Sequence, residues 1–438
     1  MWKHLAKYLY VYLLGLSIVN VLIFGIPHNT VWNNGPANLQ KDQLGYHQYA
    51  INISSGNGYN ISGEGFNSVR EPIYPAFLAL IYLLFGQGNG RAIIMVQTGI
   101  LSIIGYIAYI LFLRADEKHL GIVIALGIVM LPYYGYYAAE YMTELFFAGM
   151  LIFCLYCMVL FVAEPGSRRN QVVCGLVFAL TALTRVQMLF FPFFFSVFFL
   201  ILYRRHITKA LWQLAMVLLF FCVPILSWTL IVYQQTGRVA ITEGRQEIAI
   251  HERAVRSMLS YTEMLQYTKA WLIRSVEGGT ASVILDTYDV KGLVDKEYLQ
   301  RATTRPLKDQ IRNTDLATIR THIGHYFFGN VIEAMKLVYV EHDYSSYMNR
   351  YFRVAVYVFI YGLFFLGLYG FYQYRHRYSL LMFTLESLTL LIIAYHIVML
   401  SLFDAIPRMN TPLHALYLLV GAIGLWQWVH FALTEQNT

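Results

Sequence analysis

Charge is what this chain has least of. Lys, Arg, Asp and Glu make up 13% of its 438 residues, against 58% hydrophobic residues. Soluble domains use about 25% charged residues, so a set of water-facing domains is excluded and the chain reads as a polytopic membrane protein. Cysteine is scarce too. Cys154, Cys157, Cys174 and Cys222 all lie inside apolar runs, so Cys154-x-x-Cys157 reads as two small hydrophobes on one helix face rather than a redox or metal pair. A basic tract is also missing: the net charge of +7 comes from Lys and Arg spread over short loops, which excludes nucleic acid as a partner. Strand alternation is absent, so no β domain is expected. Gly56-x-Gly58 and Gly63-x-Gly65 follow no strand, so they are turn glycines, not a dinucleotide fingerprint.

What the chain has is long apolar runs. A spanning helix needs about 20 mostly apolar residues, and runs of that kind lie near 6–26, 91–113, 119–136, 142–163, 171–188, 189–203, 210–233, 352–374, 380–402 and 411–432. The expected fold is therefore all-α, a polytopic helical membrane protein of about ten spans with helical outer loops. The first run follows Lys3 and Lys7 and has no small-residue cleavage site, so it reads as a retained span.

Pro72–Phe85 is apolar but short. If it does not span, Arg114 and Lys118, Arg168 and Arg169, Arg204, Arg205 and Lys209, and Arg375 and Arg377 all share a side with Lys3 and Lys7. That satisfies the positive-inside rule, so Pro72–Phe85 reads as a re-entrant or interfacial helix on the outer face. Both termini are then cytoplasmic. The domains read as an N-terminal transmembrane module, 1–233, with an outer loop at 27–90; an extracytoplasmic, mostly helical region, 234–351; and C-terminal spans, 352–438. Glu247–Ser275 and Asp295–Thr321 look helical, and Phe327–Tyr339 reads as a membrane-surface stretch.

Ionisable residues at the ends of spans are costly and are functional candidates. Asp42, Arg70, Glu71, Glu140, Glu144, Arg185 and Arg408 all map to the outer side on this topology. Glu140 and Glu144 are four apart, which on a helix sets like charges on one face and calls for an offsetting partner. Arg185 either bridges to one of those glutamates or meets an anionic ligand. Arg408 lies at the outer edge of the last span, where the simple alternative is snorkelling. An acid among arginines at a membrane face suits chemistry on a lipid-linked phosphate: guanidinium forks stabilise phosphate charge, and a carboxylate takes the proton of an attacking hydroxyl. His47 and Tyr49 read as packing residues.

In order along the chain stand Asp42, Tyr46 and Ala50 at helical spacing, the Gly56-x-Gly58 turn, Arg70-Glu71-Pro72-Ile73-Tyr74-Pro75, Phe85-Gly86, Pro132, Thr143-Glu144 and Thr184-Arg185. This pattern resembles the GT-C membrane glycosyltransferases, in particular the bacterial branch similar to protein O-mannosyltransferases and lipid A aminoarabinose transferases. The resemblance covers most of residues 1–200 and the last spans, and the region 234–351 is unmatched. It implies an inverting transferase, in the bacterial inner membrane with its active site outward, that moves a sugar from a polyprenyl-phosphate donor to a hydroxyl of a glycan, lipid or protein. Asp42 would be the base, with Arg70, Arg185 and Arg408 at the donor phosphate and Tyr46, Glu71, Glu140 and Glu144 forming the acceptor or second acidic site.

The chain departs from the family in two places. Gln43 stands where a second acid is usual, and Glu71 replaces a proline. The missing acid favours metal-independent transfer, since hard divalent ions want several oxygen ligands; Glu144 is the residue through which a divalent ion would bind. Two other functions compete. An O-antigen polymerase or ligase acting on lipid pyrophosphate would use outer-loop arginines such as Arg245 and Arg253. A lipid-linked glycan transporter would show repeats and broken mid-membrane helices, and the sequence has no matching halves.

Overall fold

The computed structural model describes residues 8–28, 39, 41–242, 245–273, 305–336, 350–403 and 407–435. Those residues contain helices, turns and loops but no strand, and they form two compact units. The first comprises 1–241, 355–395 and 411–438, and the second comprises 242–354 and 396–410.

In the first unit, α1 (Leu9–Asn20) runs into a π turn at Val21–Gly25. The amphipathic α2 (Lys41–Ser54) and the short α3 (Ile73–Phe85) follow, then the long α4 (Gly90–Arg114). Next come α5 (Lys118–Val129), α6 (Pro132–Ala138), α7 (Thr143–Ala163), α8 (Arg168–Thr184), α9 (Phe191–Leu202) and α10 (Ile207–Thr236). Among the described residues six helices are long and apolar enough to cross a membrane, and the α5–α6 pair makes a seventh if counted as one broken span. Leu9–Gly25, Ile73–Phe85 and Val186–Leu202 are shorter apolar helices. At about 1.5 Å per residue, the 13 residues of α3 reach roughly 20 Å, short of a hydrocarbon core of about 30 Å.

The run near 119–136 is not the single straight span that its hydropathy implies. Its two helices meet at 54°, because Pro132 at the start of α6 cannot donate to the preceding turn. Carbonyls freed at such a break need partners inside a bilayer. Asn20, fully buried, supplies them: its Nδ2 donates to Val129 O at 2.7 Å and Leu131 O at 2.9 Å. Gly135 makes the approach possible, since a Cβ there would lie 2.8 Å from Asn20 O.

α3 ends at Gly86, whose φ of +95° favours glycine. Asn89 then caps α4 by accepting from Ala92 N at 3.1 Å. The buried Tyr46 and Ala50 of α2, Tyr74, Leu78 and Tyr82 of α3 and Ile93 of α4 form one small core. That core holds the loop between α2 and α3 against the bundle. Further on, α15 (Arg350–Tyr374), α16 (Leu380–Phe403) and α17 (His414–Glu435) complete the described helices. Between α15 and α17 the backbones nearly touch: a Cβ at Gly421 would lie 2.7 Å from Leu363 O, the close approach that small residues allow between membrane helices.

The second unit holds α11 (Arg245–Ser257), α12 (Tyr261–Ile273), α13 (Arg305–Thr321) and α14 (Ile323–Lys336). His251 Nδ1 meets both Asp315 oxygens at 3.0 Å, and the Tyr261 ring packs edge-on against His325 at 4.2 Å. Residues 295–304 of the expected segment Asp295–Thr321, and 337–339 of the expected stretch Phe327–Tyr339, lie outside the described residues.

Candidate active site

Asp42 sits in the first turn of α2, where the N-terminal helix dipole favours an acid. Its Oδ1 pairs with Nη2 of Arg70. The Arg70 side chain is 11% exposed and that of Asp42 23%, so the acid remains the more reachable partner. The guanidinium lies over the Tyr46 ring, 5.1 Å from its centroid, a cation–π contact that fixes its plane. Tyr46 packs edge-on against Tyr74 at 5.0 Å and is buried, which makes it a platform under Arg70.

The loop that delivers Arg70 is held at several points. Asn52 Nδ2 donates to Asn60 O and Oδ1, both at 2.9 Å. Tyr49 OH donates to Asn67 O at 3.0 Å and accepts from Val69 N at 3.1 Å. Tyr59 OH donates to Arg70 O at 2.8 Å and stacks on Tyr49 with ring centroids 4.4 Å apart. Tyr49 is thus a positioning residue for the loop before Arg70. His47 holds α2 to α3 through Tyr82 OH at 2.6 Å, and its burial lowers the pKa of the imidazole.

A second pair stands at the start of α7. Arg185 Nη2 meets Glu144 Oε1 at 2.9 Å, and Arg185 also donates to Thr143 Oγ1 from Nε at 3.0 Å and from Nη2 at 2.7 Å. Its guanidinium lies 5.1 Å from the centre of the Phe147 ring. The structural bridge, one of the two roles open to Arg185, is therefore formed, while Nη1 of Arg185 and Oε2 of Glu144 are buried without a hydrogen-bond partner among the described residues.

Glu140 and Glu144 do not share a helix face. α6 stops at Ala138 and α7 begins at Thr143, so Glu140 lies in the loop between them and reaches Gln43 Nε2 while Glu144 reaches Arg185. The helical spacing failed because α6 ends at Ala138 and a new helix starts only at Thr143. Glu140 is 7% exposed, and burial pushes its carboxyl up to about 7, with Glu144 adding to the rise and hydrogen bonds from Tyr136 and Gln43 opposing it.

Glu71 is buried and its Oε1 accepts from Val186 N at 3.3 Å, which ties the loop before α3 to the segment after α8. Burial raises its pKa, and backbone N–H groups and the two arginines offset part of that rise. The fields of Arg70, Glu71, Arg185 and Asp42 all reach the Tyr46 phenol, so the two ion pairs and Glu71 make one electrostatic neighbourhood. Arg408 lies in the short helical segment Pro407–Leu413, but its side chain lies outside the described residues, as does that of Arg245. Arg253 is buried in the second unit.

Two residues matter more than the sequence suggests. Gln97, in the apolar α4, accepts from Tyr74 OH at 3.1 Å and donates to Ala138 O at 3.0 Å and Glu140 O at 2.9 Å. Gln43 links α2 to Glu140 across 97 residues of chain. A lone amide within an apolar span is the signal that points to Gln97; Gln43 carries no such signal. The site's carboxylates do not converge on one point: Asp42 faces Arg70, Glu140 faces Gln43 and Glu144 faces Arg185. Among the described residues no three His, Cys, Asp or Glu side chains gather as metal ligands.

The family model described as dolichyl-phosphate-mannose-protein mannosyltransferase matches residues 69–228. Comparison with curated protein sequences gives no match. Among solved structures, the chain is similar to the oligosaccharyltransferase AglB of the archaeon Archaeoglobus fulgidus, with 11% identity, a TM-score of 0.55, and coverage of 99% of this chain and 52% of that one. This chain thus spans about half the length of that protein. ArnT of Cupriavidus metallidurans aligns at 13% identity with a TM-score of 0.41, covering 95% of this chain and 77% of its own. The AglB structure contains an inhibitory peptide and a dolichol-phosphate, and the ArnT structure contains undecaprenyl phosphate. The resemblance to GT-C membrane glycosyltransferases holds, and the chain has the all-α, polytopic GT-C fold.

Proposed function

We propose, with the GT-C fold as premise, that this chain is an integral membrane glycosyltransferase that moves a sugar from a polyprenyl-phosphate donor to an acceptor hydroxyl, with inversion, on the outer side of a bacterial inner membrane. The observation that carries the reading is the pairing of Asp42 with Arg70 beside the buried Glu144–Arg185 bridge, both arginines lying within the matched segment 69–228. In this reading the acceptor oxygen attacks the anomeric carbon from the face opposite the phosphate. The bond from carbon to phosphate oxygen breaks, and its electron pair leaves on the phosphate. The acceptor's proton passes to Asp42.

Arg70 serves both partners. Its Nη2 orients Asp42, while Nη1, buried and without a hydrogen-bond partner among the described residues, suits a phosphate oxygen. Arginine forks in a site shielded from water stabilise developing phosphate charge well. The donor is already activated, so the protein's remaining work is to align the acceptor and to take its proton. Asp42→Asn in purified, reconstituted protein should insert and fold normally and lose transfer by roughly 10²–10⁴-fold. Near-normal turnover of that variant with a polyprenyl-phosphate sugar would remove Asp42 from the base role.

A further inference from the structure

The other end of the same bundle holds a basic cavity that the proposed transfer does not use. It has a volume of about 300 Å³ and is lined by Arg114, Tyr156, Leu160, Glu164, Arg169 and Asn170, among others. Its position follows from the helices. Arg114 ends α4, Glu164 follows α7, and Arg169 lies in the first turn of α8, whereas the opposite ends of α7 and α8 carry Glu144 and Arg185. The 21 residues of α7 separate the two places by about 31 Å, one hydrocarbon thickness.

The two guanidiniums share this lining with one carboxylate, Glu164. Among the described residues Arg114 and Arg169 make no ion pair with a carboxylate; Arg114 instead lies 5.8 Å from the centre of the Tyr156 ring. The N-terminus of α8 adds its dipole to the same place, with Ser167 Oγ accepting from Asn170 N at 3.4 Å. Partial positive charge at a helix N-terminus together with two guanidiniums suits a phosphodiester. Phe153, Leu160 and Val173 supply apolar lining beside the charged groups. The lining carries two cations and one anion, a net charge of +1, so its complement carries one net negative charge. Glu164, an acceptor, then faces the hydroxyl end of the headgroup.

We propose that this cavity binds the headgroup of an anionic glycerophospholipid from the leaflet opposite the catalytic centre, its phosphate held by Arg114 and Arg169. Basic pockets between membrane helices on the cytoplasmic side recognise anionic headgroups in this way, and the loops at this end carry the chain's positive excess.

Full-length protein in nanodiscs of equal phosphatidylglycerol and phosphatidylcholine, analysed by native mass spectrometry, tests the assignment. Wild type should retain phosphatidylglycerol in preference to phosphatidylcholine, and R114Q/R169Q should retain roughly thirtyfold less, the loss that two surface guanidiniums imply. Arg375→Gln/Arg377→Gln, at a different basic loop, should match wild type. Equal retention by R114Q/R169Q, or phosphatidylcholine held as well as phosphatidylglycerol by wild type, overturns the proposal. A second measurement needs no variant: adding phosphatidylglycerol to wild type in phosphatidylcholine nanodiscs should raise the unfolding temperature saturably. The lipid assignment fails if phosphatidylglycerol produces no rise, or if inorganic phosphate alone produces the same rise.

Discussion

Replacing Glu140 with glutamine removes a charge from a place that resists it while keeping the side chain's shape. Glu140 is 7% exposed, and burial carries its carboxyl from 4.5 to about 7. In the unfolded chain the carboxyl ionises near 4.5, so between those values the unfolded chain has released a proton that the folded protein still holds. Stability therefore falls as pH rises through that window. Above about 7 both states are ionised, and the accumulated loss is about 3 kcal/mol at roughly 1.4 kcal/mol per pH unit.

Glu140→Gln does not titrate, and its amide oxygen still accepts from Gln43 Nε2. The variant should match wild type at about pH 5 and exceed it in thermal unfolding temperature at about pH 8, by an amount set by that loss less any weakening of the bond to Gln43. The assay is thermal unfolding of both proteins in one detergent across that range. A difference between wild type and variant that stays constant with pH would refute the argument, because a buried carboxyl with this environment must make it vary.

Other outcomes follow from the same geometry. Glu144→Gln removes the negative charge that faces the buried Arg185 and should cost about 3–5 kcal/mol, most of it recovered when Arg185→Met is added; chemical denaturation of the two single variants and the double reads this, and additive losses would show that the pair is not coupled. Gln97→Ala strips a donor from Ala138 O and Glu140 O and should destabilise by about 1–3 kcal/mol while lowering turnover more than it raises KM; an unchanged kcat would mean that the loop carrying Glu140 needs no such support. Gly421→Ala sets a Cβ against Leu363 O and should lower the unfolding temperature or abolish insertion, whereas Gly127→Ala, with open space around its Cβ position, should be tolerated. Equal tolerance at both positions would contradict the close approach of α15 and α17.

Much of the site could be read along the chain, but its partnerships could not. Asp42, Arg70, Glu144 and Arg185 stand out because an ionisable residue at the edge of an apolar run is costly wherever it occurs, and that cost is a local property. Which acid meets which arginine depends on contacts 28 and 41 residues apart in sequence. The expectation that Glu140 and Glu144 share a face failed between Ala138 and Thr143, where one helix ends and the next begins, because helical spacing holds only while the helix continues.

Composition and apolar length by themselves determined an all-α membrane protein with segments of about the observed bounds, because burying a backbone in hydrocarbon leaves few alternatives to the helix. Only the tertiary structure decided that Asn20 closes the break between α5 and α6, that Gln97 holds the loop of Glu140, and that Asp42 is oriented by Arg70 over Tyr46. Hydrogen bonds and ion pairs are short-ranged and directional, so they exist only after helices distant in sequence have packed, and no window read along the chain contains both partners.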